Sequence, residues 1–158
     1  MTKLLFAVTS ADHWTLKDGT PHPTGCWAEE LVEAHRVFVD AGYEIVIATP
    51  GGKAPVVDEG SLAPEVNGGQ EGADRMRKYI ADLQPVLDSP EILENADAAD
   101  YDVVFVPGGH GPMEDLAVSA SFGELLVNFL DADKVVSAVC HAPAALLPAQ
   151  KPDGSWLF

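Results

Sequence analysis

Apolar and polar positions along the chain fall into short β-branched runs that alternate with amphipathic stretches. Residues 4–8 are an unbroken apolar run ending in Thr9-Ser10, the pattern of a strand buried on both faces of a parallel sheet. Residues 10–24 are polar, with Asp18-Gly19, Pro21 and Pro23, and predict a long loop. From Thr24 the spacing turns helical: Leu31, Val32, His35, Phe38 and Val39 share a face, and Gly42 marks the stop. Residues 43–48 predict a second strand, ending in Pro50-Gly51-Gly52. Residues 53–70 read as irregular and 71–83 as a helix carrying Met76, Tyr79, Ile80 and Leu83. A short acidic helix is predicted over 90–94. Residues 101–106 form a third apolar run, ending in Pro107-Gly108-Gly109 as the second ended in Pro-Gly-Gly. A helix over 119–131 turns Phe122, Leu125, Leu126, Phe129 and Leu130 inward. The fourth strand, 134–139, runs into Cys140-His141, and a small-residue helical pattern begins at once.

Strands alternating with helices predict an α/β architecture: a parallel sheet, right-handed crossovers and helices on both faces. Without repeats or a linker-like tract, residues 1–158 read as one domain. An apolar content of 47% over 158 residues supports a real core. The formal charge of −16 excludes nucleic acid and anionic membrane surfaces as natural partners. The N-terminal apolar run is too short for a signal peptide, and no stretch approaches the roughly 20 residues of a membrane span, so a soluble cytoplasmic protein is expected. The two cysteines, Cys26 and Cys140, with no CxxC, are poor material for a disulfide framework or a zinc site. His13, His22 and His35 match no ligand spacing, so no metal is expected.

In parallel sheets, ligands bind outside the carboxyl ends of the strands. Three features converge there: the loop after Val8, the stretch Pro107-Gly108-Gly109-His110-Gly111, and Cys140-His141. A cysteine at a strand-to-helix turn is pushed out of the sheet as on a nucleophile elbow. It also meets a helix N-terminus, which is expected to lower its pKa. The His141 N–H faces the same pocket, and its ring is a candidate base. Gly108 and Gly109 admit a backbone N–H close to a substrate oxygen, making Gly109 the second candidate oxyanion donor. His110, between glycines, is a weaker candidate for binding. Glu29 and Glu30 open the first long helix. They are either ordinary partners of the helix dipole or the source of a carboxyl that is held protonated beside the sulfur and shuttles protons.

The segments TGCWAEELVEAHRVFVDAGYEIVIATPGG (24–52), YDVVFVPGGHGPMEDL (101–116) and SAVCHAPAALL (137–147) resemble the ThiJ/PfpI superfamily. They are most similar to its branch of heat-shock chaperone-type proteins and glutathione-independent glyoxalases. The resemblance implies a class I glutamine-amidotransferase-like, three-layer flavodoxin-like fold. It implies Cys140 as nucleophile, Glu30 rather than Glu29 as its carboxyl partner, and His141 as the adjacent triad histidine. Gly109 and His141 become the oxyanion donors, flanked by Gly108 and His110. It further implies a homodimer and chemistry without a metal or organic cofactor. Ala34 stands where such proteins often carry proline, a local packing change. Relatives run well past 200 residues, so the chain reads as the N-terminal two thirds of such a domain; the residue that orients the histidine is expected beyond Phe158. Asp153-Gly154 before an apolar stretch is a turn signal. The leading activity implied is conversion of a small 2-oxoaldehyde such as methylglyoxal to a 2-hydroxy acid. The alternatives are amide or peptide hydrolysis by the same nucleophile, or a stress chaperone or redox sensor without turnover. For the chaperone, Trp14, Trp27 and Trp156 are candidates for an exposed apolar patch.

Overall fold

The computed structural model describes residues 1–151 and 153–157. The first strand, β1 (Lys3–Ala7), is followed by a small hairpin, β2 (His13–Thr15) and β3 (Pro21–Pro23), inside the expected loop. Helix α1 (Ala28–Asp40), strand β4 (Glu44–Thr49), helix α2 (Gln70–Leu87) and strand β5 (Glu91–Ile92) come next. Strand β6 (Val103–Val106), helix α3 (Ala120–Asp131) and strand β7 (Val135–Ala138) complete the order. The five strands other than the hairpin form one parallel sheet, β5-β4-β1-β6-β7, giving the flavodoxin-like α/β fold.

The period-two alternation of β1 divides the core. Leu4, Phe6 and Val8 face α1 and α2 with Leu31, Ile47, Leu87 and Phe105. Leu5 and Ala7 face α3, among Val104, Val106, Leu126 and Phe129. The chain steps from β1 outward to β4 on one side and later to β6 on the other. The order therefore reverses between β1 and β6, which opens a crevice at their carboxyl ends.

Several expectations shift. Helix α1 starts at Ala28, because residues 24–27 are extended and bonded to neighbouring loops: the Trp27 N–H donates to Gly108 O (3.1 Å) and the Cys26 N–H to Val56 O (2.8 Å). The Ala28 N–H is capped by Ser61 Oγ at 3.0 Å, from the stretch 53–70, which is itself folded into 3-10 turns. Val39 is exposed; it lies one step round the helix from Phe38, which is packed. Helix α2 runs past the predicted end to Leu87, carrying Pro85 in its last turn. Of the acidic helix expected over 90–94 only a 3-10 turn forms, at Leu93–Asn95. Glu91 and Ile92 pair instead with Ala48 and Thr49, because backbone groups that complete a sheet outweigh a weak local helical pattern. Residues 142–146 form only a 3-10 turn rather than an α-helix; Pro148, just beyond it, has no N–H with which to carry an α-helical ladder onward. Near the end, the Lys151 N–H reaches Ser155 O (2.9 Å) around Asp153-Gly154, the turn the sequence signalled. Pro152 and Phe158 lie outside the described residues.

Phe6 is fully buried at the centre of the middle strand, edge-on to His35 and tilted against Phe105. Phe6→Ala is expected to destabilise the fold by about 3–5 kcal/mol. Urea unfolding checks this; a loss under about 1 kcal/mol would mean that the site collapses around the void.

Candidate active site

The site assembles where the β6 loop, the start of α1 and the end of β7 meet. Gly108 sits so close to its neighbours that an added Cβ would lie 2.7 Å from Val139 O, 2.8 Å from Cys140 Cβ and 2.8 Å from Glu30 Oε2. Only glycine permits that approach. Gly109 has φ +90°, a left-handed conformation natural to glycine. The Gly111 N–H donates to Gly25 O (3.1 Å), a second bond joining the β6 loop to the start of α1.

Cys140 has φ +59°, a strained value for a residue with a Cβ, consistent with the sharp turn expected of an elbow. As a residue Cys140 is exposed, with its sulfur partly covered, whereas Cys26 is buried, its thiol pushed up to about 12 mainly by burial. His141 Nδ1 lies 3.1 Å from Cys140 Sγ. Glu30, half-buried in the first turn of α1, accepts from the Gly108 N–H (2.7 Å) and stands beside the sulfur. Glu29 is exposed, so the structure separates the two carboxylates in favour of Glu30.

The expected low thiol pKa is not found. Partial burial of the sulfur is the largest effect and raises it; the Glu30 carboxylate raises it further. The N–H groups of Gly109 and His141 pull the other way. The anticipated helix dipole is missing because the chain after Cys140 makes only the short 3-10 turn. The balance at the sulfur therefore favours the thiol over the thiolate.

A run of rings leads away from His141, the ring beside the sulfur. His110 packs edge-on to His141 (centroids 4.6 Å apart), and Trp14 and His22 stand 5.7 and 6.0 Å from His110. Burial, then His141 and His22, lowers the His110 pKa, which favours a neutral imidazole. His35 is elsewhere, bonded through Nδ1 to the Tyr79 hydroxyl at 2.9 Å. Among the described residues no three His, Cys, Asp or Glu side chains are grouped to hold a metal ion. No helix among them is long and apolar enough to cross a membrane.

The structure thus brings together Cys140, His141, Glu30, Gly108, Gly109 and His110. Sequence reasoning missed Glu114 and Asp115, which fasten the loop after β1. Their signal was present as two carboxylates closing the glycine-rich stretch. It also missed Trp14 and His22 as neighbours of the site, since a hairpin hidden in a polar loop has no periodicity to read.

Comparison with known proteins supports the fold and assigns a family. The sequence profile described as the DJ-1/PfpI family matches residues 24–155. The chain is 30% identical to Glyoxalase 3 of Candida albicans over 144 residues, 91% of this chain and 59% of that protein. It is 33% identical to the protein/nucleic acid deglycase HchA of Pseudomonas aeruginosa, over 96% of this chain and 53% of that protein. The crystal structure of glyoxalase III from Candida albicans superposes with a TM-score of 0.78 at 28% identity, covering 99% of this chain and 64% of that one. The chain therefore spans between half and two thirds of the length of these relatives.

Two outcomes follow from the Cys140–Glu30 pair. The pH midpoint for iodoacetamide alkylation of Cys140 is expected above the ordinary thiol value of about 8.5. In Glu30→Gln the raising carboxylate is gone, so the midpoint moves down and alkylation at pH 7 speeds up. A midpoint that rises in the variant would show instead that Glu30 donates a proton to a thiolate.

Proposed function

Because the chain belongs to the DJ-1/PfpI family, we propose that it uses Cys140 as the nucleophile of a glutathione-independent glyoxalase acting on a small 2-oxoaldehyde such as methylglyoxal. The observation that carries this reading is the joint placement, at one strand edge, of an exposed cysteine, a carboxylate beside it and two N–H groups directed at it. It is supported by the relatives described as glyoxalases.

In this reading the Cys140 sulfur bonds to the aldehyde carbon while its proton passes to Glu30. The carbonyl oxygen becomes the oxyanion of a hemithioacetal, held by the N–H groups of Gly109 and His141. A proton then leaves the former aldehyde carbon for the His141 ring and returns to the neighbouring carbon, while Glu30 gives the thiol's proton to the oxygen on that carbon, turning the hemithioacetal into a thioester of the 2-hydroxy acid. Water cleaves the thioester, releases the acid and restores the thiol. Every electron pair moves within the substrate, so the balance needs no external oxidant or reductant. The raised thiol pKa gives Glu30 a defined task, to take the proton at the moment of attack. A homodimer in the cytoplasm belongs to the same proposal.

A second reading is favoured by the HchA relatives: release of an adduct formed between a 2-oxoaldehyde and an amine, by attack of the same thiol. Amide hydrolysis, chaperone action and redox sensing are the remaining alternatives. The experiment is lactate formation from methylglyoxal without glutathione. The wild-type protein carried through its natural C-terminus is expected to turn over, with a loss of about a thousandfold or more in Cys140→Ala. A folded wild type that forms no lactate, or a Cys140→Ala variant that keeps its activity, overturns the glyoxalase reading.

A further inference from the structure

The hairpin of β2 and β3 has three residues in each strand, and an isolated two-stranded hairpin is marginal in water. Yet it sets two side chains beside the site. Trp14 and His22 are cross-strand partners, and both stand against His110, which packs on His141. Something must hold the hairpin there.

Two consecutive carboxylates do so. Asp115 accepts from Thr9 Oγ1 (2.8 Å), the Ser10 N–H (2.8 Å) and the Ala11 N–H (3.1 Å). Glu114 accepts from the Thr15 N–H (2.7 Å) and Thr15 Oγ1 (2.9 Å), and its Oε1 lies 3.6 Å from His13 Nε2. One residue therefore fastens the start of the segment 9–15 and the other its end, with Trp14 between them. Both sit just beyond the glycine-rich loop that carries His110, so these hydrogen bonds tie the hairpin to that loop.

We propose that Glu114 and Asp115 are positioning residues that hold Trp14 and His22 as a wall limiting the size of the carbonyl compound that reaches Cys140. Both carboxylates act through hydrogen bonds to the segment before the wall and within it. An amide in place of either carboxylate turns an acceptor oxygen into an NH2 group that faces N–H and O–H donors. The hairpin then loses an anchor while Cys140, Glu30 and His141 keep their places. The activity arm of the test rests on the reading of Cys140 as the nucleophile of a glyoxalase; the alkylation arm does not.

The test compares alkylation of Cys140 by iodoacetamide and by a naphthyl iodoacetamide, the same reactive group with a bulky tail. Cys26, buried, does not compete. In Glu114→Gln, Asp115→Asn and Trp14→Ala the ratio of the bulky to the small rate is expected to rise about fivefold or more. In the two carboxylate variants the pH midpoint with iodoacetamide stays at its wild-type value. With methylglyoxal, KM rises in those two variants while kcat changes by less than about twofold. Glu114 is partly exposed, so Glu114→Gln decides the question even where Asp115→Asn fails to fold. A wild-type ratio in Glu114→Gln alongside a raised ratio in Trp14→Ala overturns the positioning role. A wild-type ratio in Trp14→Ala overturns the wall. If the wild type forms no lactate, the glyoxalase reading falls, and the alkylation ratios still decide this one.

Discussion

Close approach at Gly108 is the constraint on which the site depends. The end of β7, the thiol-bearing turn and the first turn of α1 all press on this residue, and its missing side chain is the space they use. The Gly108 backbone also bonds on both sides. Its N–H holds Glu30 Oε2, and its carbonyl accepts the N–H of Trp27, the residue immediately before α1. One residue thus registers the carboxylate, the helix that bears it and the cysteine together. Separate hydrogen bonds to mobile side chains would leave each group free to drift by an ångström, enough to matter for proton transfer.

That crowding also explains the electrostatics. A carboxylate held against a partly buried thiol raises the thiol's pKa, and two N–H groups offset only part of the effect. A long helix behind Cys140 would have tipped the balance toward thiolate. The 3-10 turn between Pro143 and Pro148 does not supply that field, so burial together with the Glu30 carboxylate outweighs the two N–H groups.

The hydrophobic pattern made much of the fold legible. Each of the four apolar runs became a strand, and α3 began within one residue of its predicted start, because Ser119 accepts from the Phe122 N–H and an apolar stripe faces the core. What failed was structure held by partners distant in sequence. β5 exists because β4 offered an edge, the hairpin exists because Glu114 and Asp115 anchor residues 9–15, and α1 begins late because Gly108 and Val56 engage the residues before it.

The sequence by itself determined the α/β class, the glycine stretches at the ends of β4 and β6, and the presence of a cysteine and a histidine at the joint after β7. Apolar periodicity and turn chemistry are local properties, readable a few residues at a time. The residues by themselves left Glu29 and Glu30 open and the family resemblance pointed to Glu30; tertiary structure alone decided that the thiol's pKa rises, and that Trp14 and His22 pack on His110, which packs on His141. Those outcomes depend on distances between residues up to 110 positions apart, and such distances exist only once the β1–β6 crevice has closed around Gly108.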